Sequence, residues 1–356
     1  MGHLAIVNAD TIQQINSQNP YISIGGTLGA YPYKTISDLF ADALTVRDGD
    51  IIFTWMVNTQ DKEGIGFDRY YIANGSVVFD ANDTDFPIKI GVKEGYQYSN
   101  AISEEKALDL FSPRLLWNAI GKKSLGRGRS LSHQTTDEDQ QLLALLAQAN
   151  TGVVPNNILH SPVYNNKHIP ITINNFGPIQ NYIVRNYASL CTVLINNITW
   201  NKGDLFLYEK TLEAYLCKNI DKGSVSFCSL LGYPNHQIKW IGNYLPYGVA
   251  GKNIDMVCEL EKENEQSIIV VIELKNDRIS YNRYKRIIND QLNSYAQFIG
   301  DAFKSYRGKT FAIEQVVLTH SPRRSLAPGT LQYQNTKWIG YDIDPNSGTV
   351  TFTRLL

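Results

Sequence analysis

The sequence is short of methionine, with three, and of cysteine, with four. The cysteines (Cys191, Cys217, Cys228, Cys258) form no CxxC pair and have no histidine at ligand spacing, which excludes a zinc ribbon or finger. No apolar stretch reaches the ~18 residues of a membrane-spanning helix, and MGHLAIVNADTIQQ lacks the basic-then-apolar pattern of a leader. A soluble, reduced, cytoplasmic protein with no membrane partner is expected. An excess of charge of one sign is also missing: Lys plus Arg is 33 against Asp plus Glu 34, for a net charge of −1. That excludes a uniformly basic nucleic-acid coat, so any polyanion site must come from local clustering. No internal repeat or low-complexity tract occurs.

Apolar residues are present in quantity, at 43% against 19% charged, enough to fill one or two cores and to exclude a disordered or fibrous chain. The length of 356 residues predicts two domains. Residues 1–150 read as a compact α+β domain, with strands over 50–58 and 69–80, a turn at Asn74-Gly75, and helices beginning at Thr35, Ser103 and Thr135. The third helix is the best marked, because Thr135-x-x-Glu138 is a capping box ahead of QQLLALLAQA. The stretch 151–200 opens with Pro155, Pro162, Pro170 and many asparagines, and reads as a linker or arm. Beyond it come a helix from Asp204, strands over 253–261 and 267–275, an amphipathic helix from Tyr281 to Phe303, and strands beginning at Glu314, Lys337 and Thr349.

The chemistry concentrates in that second half. The strands at 253–261 and 267–275 are joined by a short polar segment, which predicts a hairpin. If its centre is Asn264, opposed residues have numbers summing to 528, and Asp255 faces Glu273. Directly opposed residues lie ~5 Å apart on one face, and the two-residue strand period adds Lys275 to that face. IIVVI reads as a strand covered on both sides, so ending it in Glu-Leu-Lys puts charges where unpartnered burial costs several kcal/mol. Two adjacent carboxylates share a proton unless a cation separates them, and a hard divalent ion with oxygen ligands, Mg²⁺ above all, resolves the repulsion. The plainer reading is a salt-bridged strand end. Two helices add polar residues at i, i+4 spacing: Glu209 and Glu213 before the hairpin, Gln291 and Tyr295 after it. Each pair reads as a contributor to the cluster or as the polar flank of a packed helix.

Gly251-KNIDMV, VVIELK and DQLNSY resemble, in this order, the D…E-x-K…Q-x-x-x-Y pattern of the PD-(D/E)XK nuclease superfamily in its restriction and repair form. The resemblance covers roughly residues 200–300. It implies an α-β-β-β-α-β core and Mg²⁺-dependent phosphodiester hydrolysis. It also implies Asp255 and Glu273 as metal ligands, Lys275 as the catalytic lysine, and Gln291 and Tyr295 as an accessory pair. Glu209 is the best match to the glutamate of the first helix, with Glu213 its competitor. Ile254 stands where the pattern has proline, a departure that many members share.

The first half carries a local charge of +5 over Ser112–Thr135, from Arg114, Lys122, Lys123, Arg127 and Arg129, with no acid among them. Glycines at 126 and 128 permit close backbone approach, so Lys122, Lys123, Arg127 and Arg129 are expected phosphate contacts, the plainer reading being a solvated loop. The pattern of Asp48-GDIIFTW, a tyrosine-rich strand, Phe86-PIKIGV, Ile102-SEEKAL and Leu116-WNAI is similar to the EVE/YTH group of PUA-like domains, diffusely over about 110 residues. That resemblance implies an aromatic pocket for a flipped or modified base, with Trp55, Tyr71 and Trp117 as walls or, equally, as core.

The sequence thus predicts α+β and α/β architecture. A PUA/EVE-like β-barrel with helices spans 1–150, a linker 151–200, and a PD-(D/E)XK mixed-sheet core flanked by helices 201–356. The expected function is a restriction endonuclease using Mg²⁺, with Mn²⁺ able to substitute. It would act on double-stranded DNA, with modified cytosine as the feature read, and as a homodimer for double-strand cleavage. The alternatives are a nuclease reading unmodified sequence or DNA shape, and a DNA-binding protein with a degenerate nuclease fold.

Overall fold

The computed structural model describes residues 2–25, 39–40, 42–58, 64–80, 82–111, 130–134, 136–171, 209–220, 227–247, 252–307, 310–322, 326–344 and 349–356. The chain is mixed α+β and divides into two compact units, the first holding the described residues up to 171 and the second those from 209 onward.

The first unit is built on strands β1 (Gly2–Asn8), β2 (Tyr21–Ile24), β3 (Asp48–Val57), β4 (Gly64–Phe79), β5 (Ile88–Ser103) and β6 (Leu131–Gln134), in the order β2-β5-β4-β3-β1-β6. The sheet is nearly closed and barrel-like. Helices α1 (Ala9–Gln13), α2 (Glu104–Phe111) and α3 (Thr136–Ala149) accompany it. Asn74-Gly75, expected as a turn, lies within the 16-residue β4 instead. Gly75 has φ +75°, Asn74 Oδ1 accepts from the Ser76 N–H at 2.9 Å, and the register with β5 shifts between Ala73 and Val77. Those are the marks of a bulge, which uses the same residue types as a turn. The segment expected as an arm adds to this sheet: β7 (Asn156–Asn157) pairs with β5, and β8 (Ile169–Pro170) pairs with β4.

The second unit has helices α4 (Glu209–Asn219) and α5 (Phe227–Leu230), then β9 (Gln237–Tyr247), β10 (Lys252–Glu261) and β11 (Ile268–Lys275). Helix α6 (Tyr281–Ile287) runs through a π-helical turn (Ile288–Leu292) into α7 (Asn293–Arg307), followed by β12 (Ala312–His320), β13 (Lys337–Ile343) and β14 (Val350–Arg354). The six strands form one curled sheet, β14-β13-β12-β11-β10-β9. Strands β11, β12 and β13 are parallel, and the outer pairings are antiparallel.

Local sequence explains the centre of this sheet. Ile268 through Leu274 are all buried, as the unbroken apolar run requires of a strand covered on both faces. Each such side chain contributes roughly 1.5–3 kcal/mol. Tyr284 of α6 lies flat on Trp338 of β13, with centroids 4.8 Å apart, and Gly300 of α7 leaves room for Ile313. On the other face Tyr215 of α4 meets Phe352 of β14. Among the described residues no helix is long and apolar enough to cross a membrane.

Candidate active site at the end of the central strand

The β10–β11 ladder runs from Leu260↔Ile268 to Met256↔Ile272, every pair summing to 528, and Asn264 in the turn takes the left-handed conformation with φ 62°. The ladder ends at Met256↔Ile272, and the same register continued by one step would oppose Asp255 to Glu273. The Leu274 N–H donates to Asp255 Oδ2 at 2.8 Å, which fixes that carboxylate across the strand end. Glu273 is buried, and the Lys275 ammonium donates both to Glu273 Oε1 and, at 2.7 Å, to the Leu274 carbonyl. The structure brings these three side chains together at the strand end.

Electrostatics follow from that geometry. Burial pushes the Asp255 carboxyl up to about 8, with Glu273 and, more weakly, Glu213 adding to it, while Lys275 and the Leu274 N–H oppose. For Lys275, burial pulls the ammonium down, but Glu273 and Asp255, helped by Glu209, outweigh it and the net shift is upward. The lysine is thus held as a cation between carboxylates. The site is overloaded with negative charge, and one ammonium only partly offsets it.

The first-helix carboxylates divide the work. Glu213 is buried, and the Asn243 amide of β9 donates to its Oε1; Glu209, half-buried at the start of α4, acts on Lys275 through its charge. Asn243 was not anticipated; its only sequence signal is a polar residue within WIGNYL.

The helix after the hairpin also reaches the site. Tyr295 is buried, and its hydroxyl is pushed up by burial and by Glu273 and Asp255, opposed by a hydrogen bond with Gln291. Tyr247, at the end of β9, was not anticipated either. Its ring meets Tyr295 at 4.9 Å and Phe298 at 5.1 Å, both edge to face, with Tyr247 and Phe298 half-exposed.

Asp255 and Glu273 suit a hard divalent ion, because such an ion offsets both the burial of the Asp255 charge, the larger cause of its raised pKa, and its repulsion by Glu273. Among the described residues no three His, Cys, Asp or Glu side chains gather at ligand distance. A bound Mg²⁺ would therefore complete its shell with water, main-chain carbonyl or phosphate oxygens, which is its usual habit.

In the first unit the expected residues fare differently. Lys122, Lys123, Arg127, Arg129 and Trp117 lie outside the described residues. Trp55 and Tyr71 are both fully buried and do not converge. Ile52 is paired with Tyr71, and β3 runs without interruption beside β1, so Trp55, three residues on, points from the opposite face of the sheet. The Trp55 ring stacks on Phe67 at 5.6 Å and its Nε1 donates to Glu104 Oε2 at 3.1 Å. The Tyr71 ring lies over Gly95, where a Cβ would come within 2.8 Å of it. Two walls of one base cage cannot be made from these two residues.

Comparison with known protein families, with curated proteins and with solved structures found no match, so the strand-end geometry alone carries the functional reading.

Proposed function

We propose that this protein is a Mg²⁺-dependent endodeoxyribonuclease whose second unit hydrolyses phosphodiester bonds at Asp255, Glu273 and Lys275. The observation that supports it is the placement of two carboxylates and a lysine on one face at the end of a buried strand, with Gln291 and Tyr295 beside them. Asp255 and Glu273 would hold the ion. A bound Mg²⁺ would polarise a phosphoryl oxygen and acidify an attacking water. Lys275, held as a cation, would stabilise charge growing on the phosphate and keep that water in place. The Leu274 N–H fixes Asp255 before substrate arrives, which saves reorganisation during reaction.

For the first unit we propose DNA reading, with modified cytosine as one target and unmodified sequence or duplex shape as the other. The separation of Trp55 and Tyr71 favours the second of these. Incubation with Mg²⁺ and matched DNAs differing only in cytosine modification tests both units. Cleavage of modified DNA alone supports the modification reader, and equal cleavage supports the sequence or shape reader. Binding without any cleavage would mean a nuclease fold retained only for binding. Cutting both strands calls for two copies of the chain, which sedimentation on DNA would reveal.

A further inference from the structure

A second cationic segment begins three residues after Lys275, past Asp277. Residues 278–289 contain Arg278, Arg283, Lys285 and Arg286 and no acid, four positive charges within a chain of net charge −1. The structure fixes how this segment is turned. Ser280 caps α6, its hydroxyl accepting from the Arg283 N–H at 3.3 Å. Tyr284 is buried flat against Trp338 and its hydroxyl donates to the Thr336 carbonyl, while Ile287 and Ile288 are buried beside it. With that side committed to the core, Asn282, Arg286 and Asn289 are exposed and Lys285 half-exposed. Arg278 is spent on the fold, its Nε donating to the Ser321 carbonyl at 2.7 Å, and Arg283 pairs with Asp277.

Lys285 and Arg286 differ from these. The Lys285 ammonium sits 5.2 Å from the Tyr281 ring centroid, and among the described residues neither cation has an acid at ion-pair distance. A cation on a solvated helix face is commonly balanced by an acid at i, i+4. Asp290 holds that position relative to Arg286, yet the π-helical turn intervenes and no pair forms. The segment also follows the carboxyl end of β11, within a run of parallel strands, the end at which such sheets take ligands.

We propose that the exposed side of α6 is a track for a nucleic-acid backbone, with Lys285 and Arg286 contacting phosphates of the strand bound at the carboxylate site. The proposal rests on the nuclease reading for what the track serves, but its own measurement is of binding.

The test is the salt dependence of binding to a short labelled DNA duplex in EDTA, where Mg²⁺ cleavage cannot intrude. Wild type is compared with Lys285→Gln/Arg286→Gln, with Lys285→Arg/Arg286→Lys, and with Lys262→Gln as a control cation elsewhere. Two lost phosphate contacts should flatten the log–log slope by ~1.8, so that a threefold rise in salt costs wild type about sevenfold more affinity than the Gln variant. The charge-conserving variant and the control should follow wild type. An unchanged slope in the Gln variant, or no DNA binding by wild type, overturns the track. Mg²⁺ cleavage by wild type is scored in parallel. A flattened slope with no cleavage keeps the track and overturns the nuclease reading, whereas an unchanged slope with cleavage does the reverse.

Discussion

The main-chain N–H of Leu274 donates to the Asp255 carboxylate at 2.8 Å, one residue beyond the last regular pair of the β10–β11 ladder. A carboxylate fixed in this way by backbone cannot swing out to water when its neighbours change. Its protonation is set first by burial, then by Glu273, with Lys275 opposing.

Asp255→Asn, Glu273→Gln and Lys275→Ala are each expected to lower Mg²⁺-dependent cleavage by at least ~100-fold while DNA binding stays near wild type. Removal of a charge that acts on the reacting phosphate leaves the substrate contacts in place. Full cleavage by Glu273→Gln would overturn the site.

Stability should carry a pH signature of Asp255 when divalent ions are removed. Its folded-state pKa lies above the ordinary aspartate value, at about 8 against 3.8, so its contribution is favourable at low pH and is lost as pH rises through that window. Asp255→Asn, which cannot ionise, should therefore gain on wild type in urea titrations as pH climbs from 4 towards 8. Added Mg²⁺ should narrow that gain by binding wild type more tightly. A difference that does not vary with pH would contradict the burial of this carboxyl.

Tyr295→Phe keeps the ring packing against Tyr247 and removes the hydroxyl that pairs with Gln291. A lost hydrogen bond of about 1.4 kcal/mol corresponds to roughly a tenfold slower reaction. The expected loss is in kcat, with KM and the melting temperature little changed. A loss confined to the melting temperature would assign Tyr295 to packing alone.

Trp55→Ala should destabilise the first unit by about 3–5 kcal/mol, the ordinary cost of emptying a large buried site. Chemical denaturation followed by tryptophan fluorescence measures this. Unaltered stability with lost discrimination between DNAs would return Trp55 to a binding pocket.

The hairpin was readable because two local rules agree: strand side chains alternate, and a polar turn centred on Asn264 leaves one register. Strand β9 escaped notice because QIKWIGNYLPY does not alternate cleanly and contains Pro246, which an edge strand tolerates. The sidedness of Trp55 and Tyr71 was hidden for another reason. It depends on which strand carries the register shift between Phe53 and Met56, and β4, not β3, absorbs the extra residue. Gln291 and Tyr295 were singled out by their spacing, Gln291 lying in the π-helical turn and Tyr295 in the α-helix that follows it.

That π-helical turn amounts to one surplus residue inside a long helix. A helix advances ~100° per residue, and the wider π-turn absorbs the surplus so that the residues before Ile288 and those after Leu292 keep their own faces. The half holding Tyr284 against Trp338 and the half holding Tyr295 beside Glu273 are each docked on the same sheet, so neither can rotate to suit the other. Deleting a single residue such as Asn289 would remove the surplus and restore an unbroken α-helix with both halves still seated. Inserting a further residue would instead put them out of step and force one off its seat. This helix therefore tolerates the loss of one residue better than a gain, at a turn where Asn289 and Asp290 are exposed while Ile288 and Leu292 are buried.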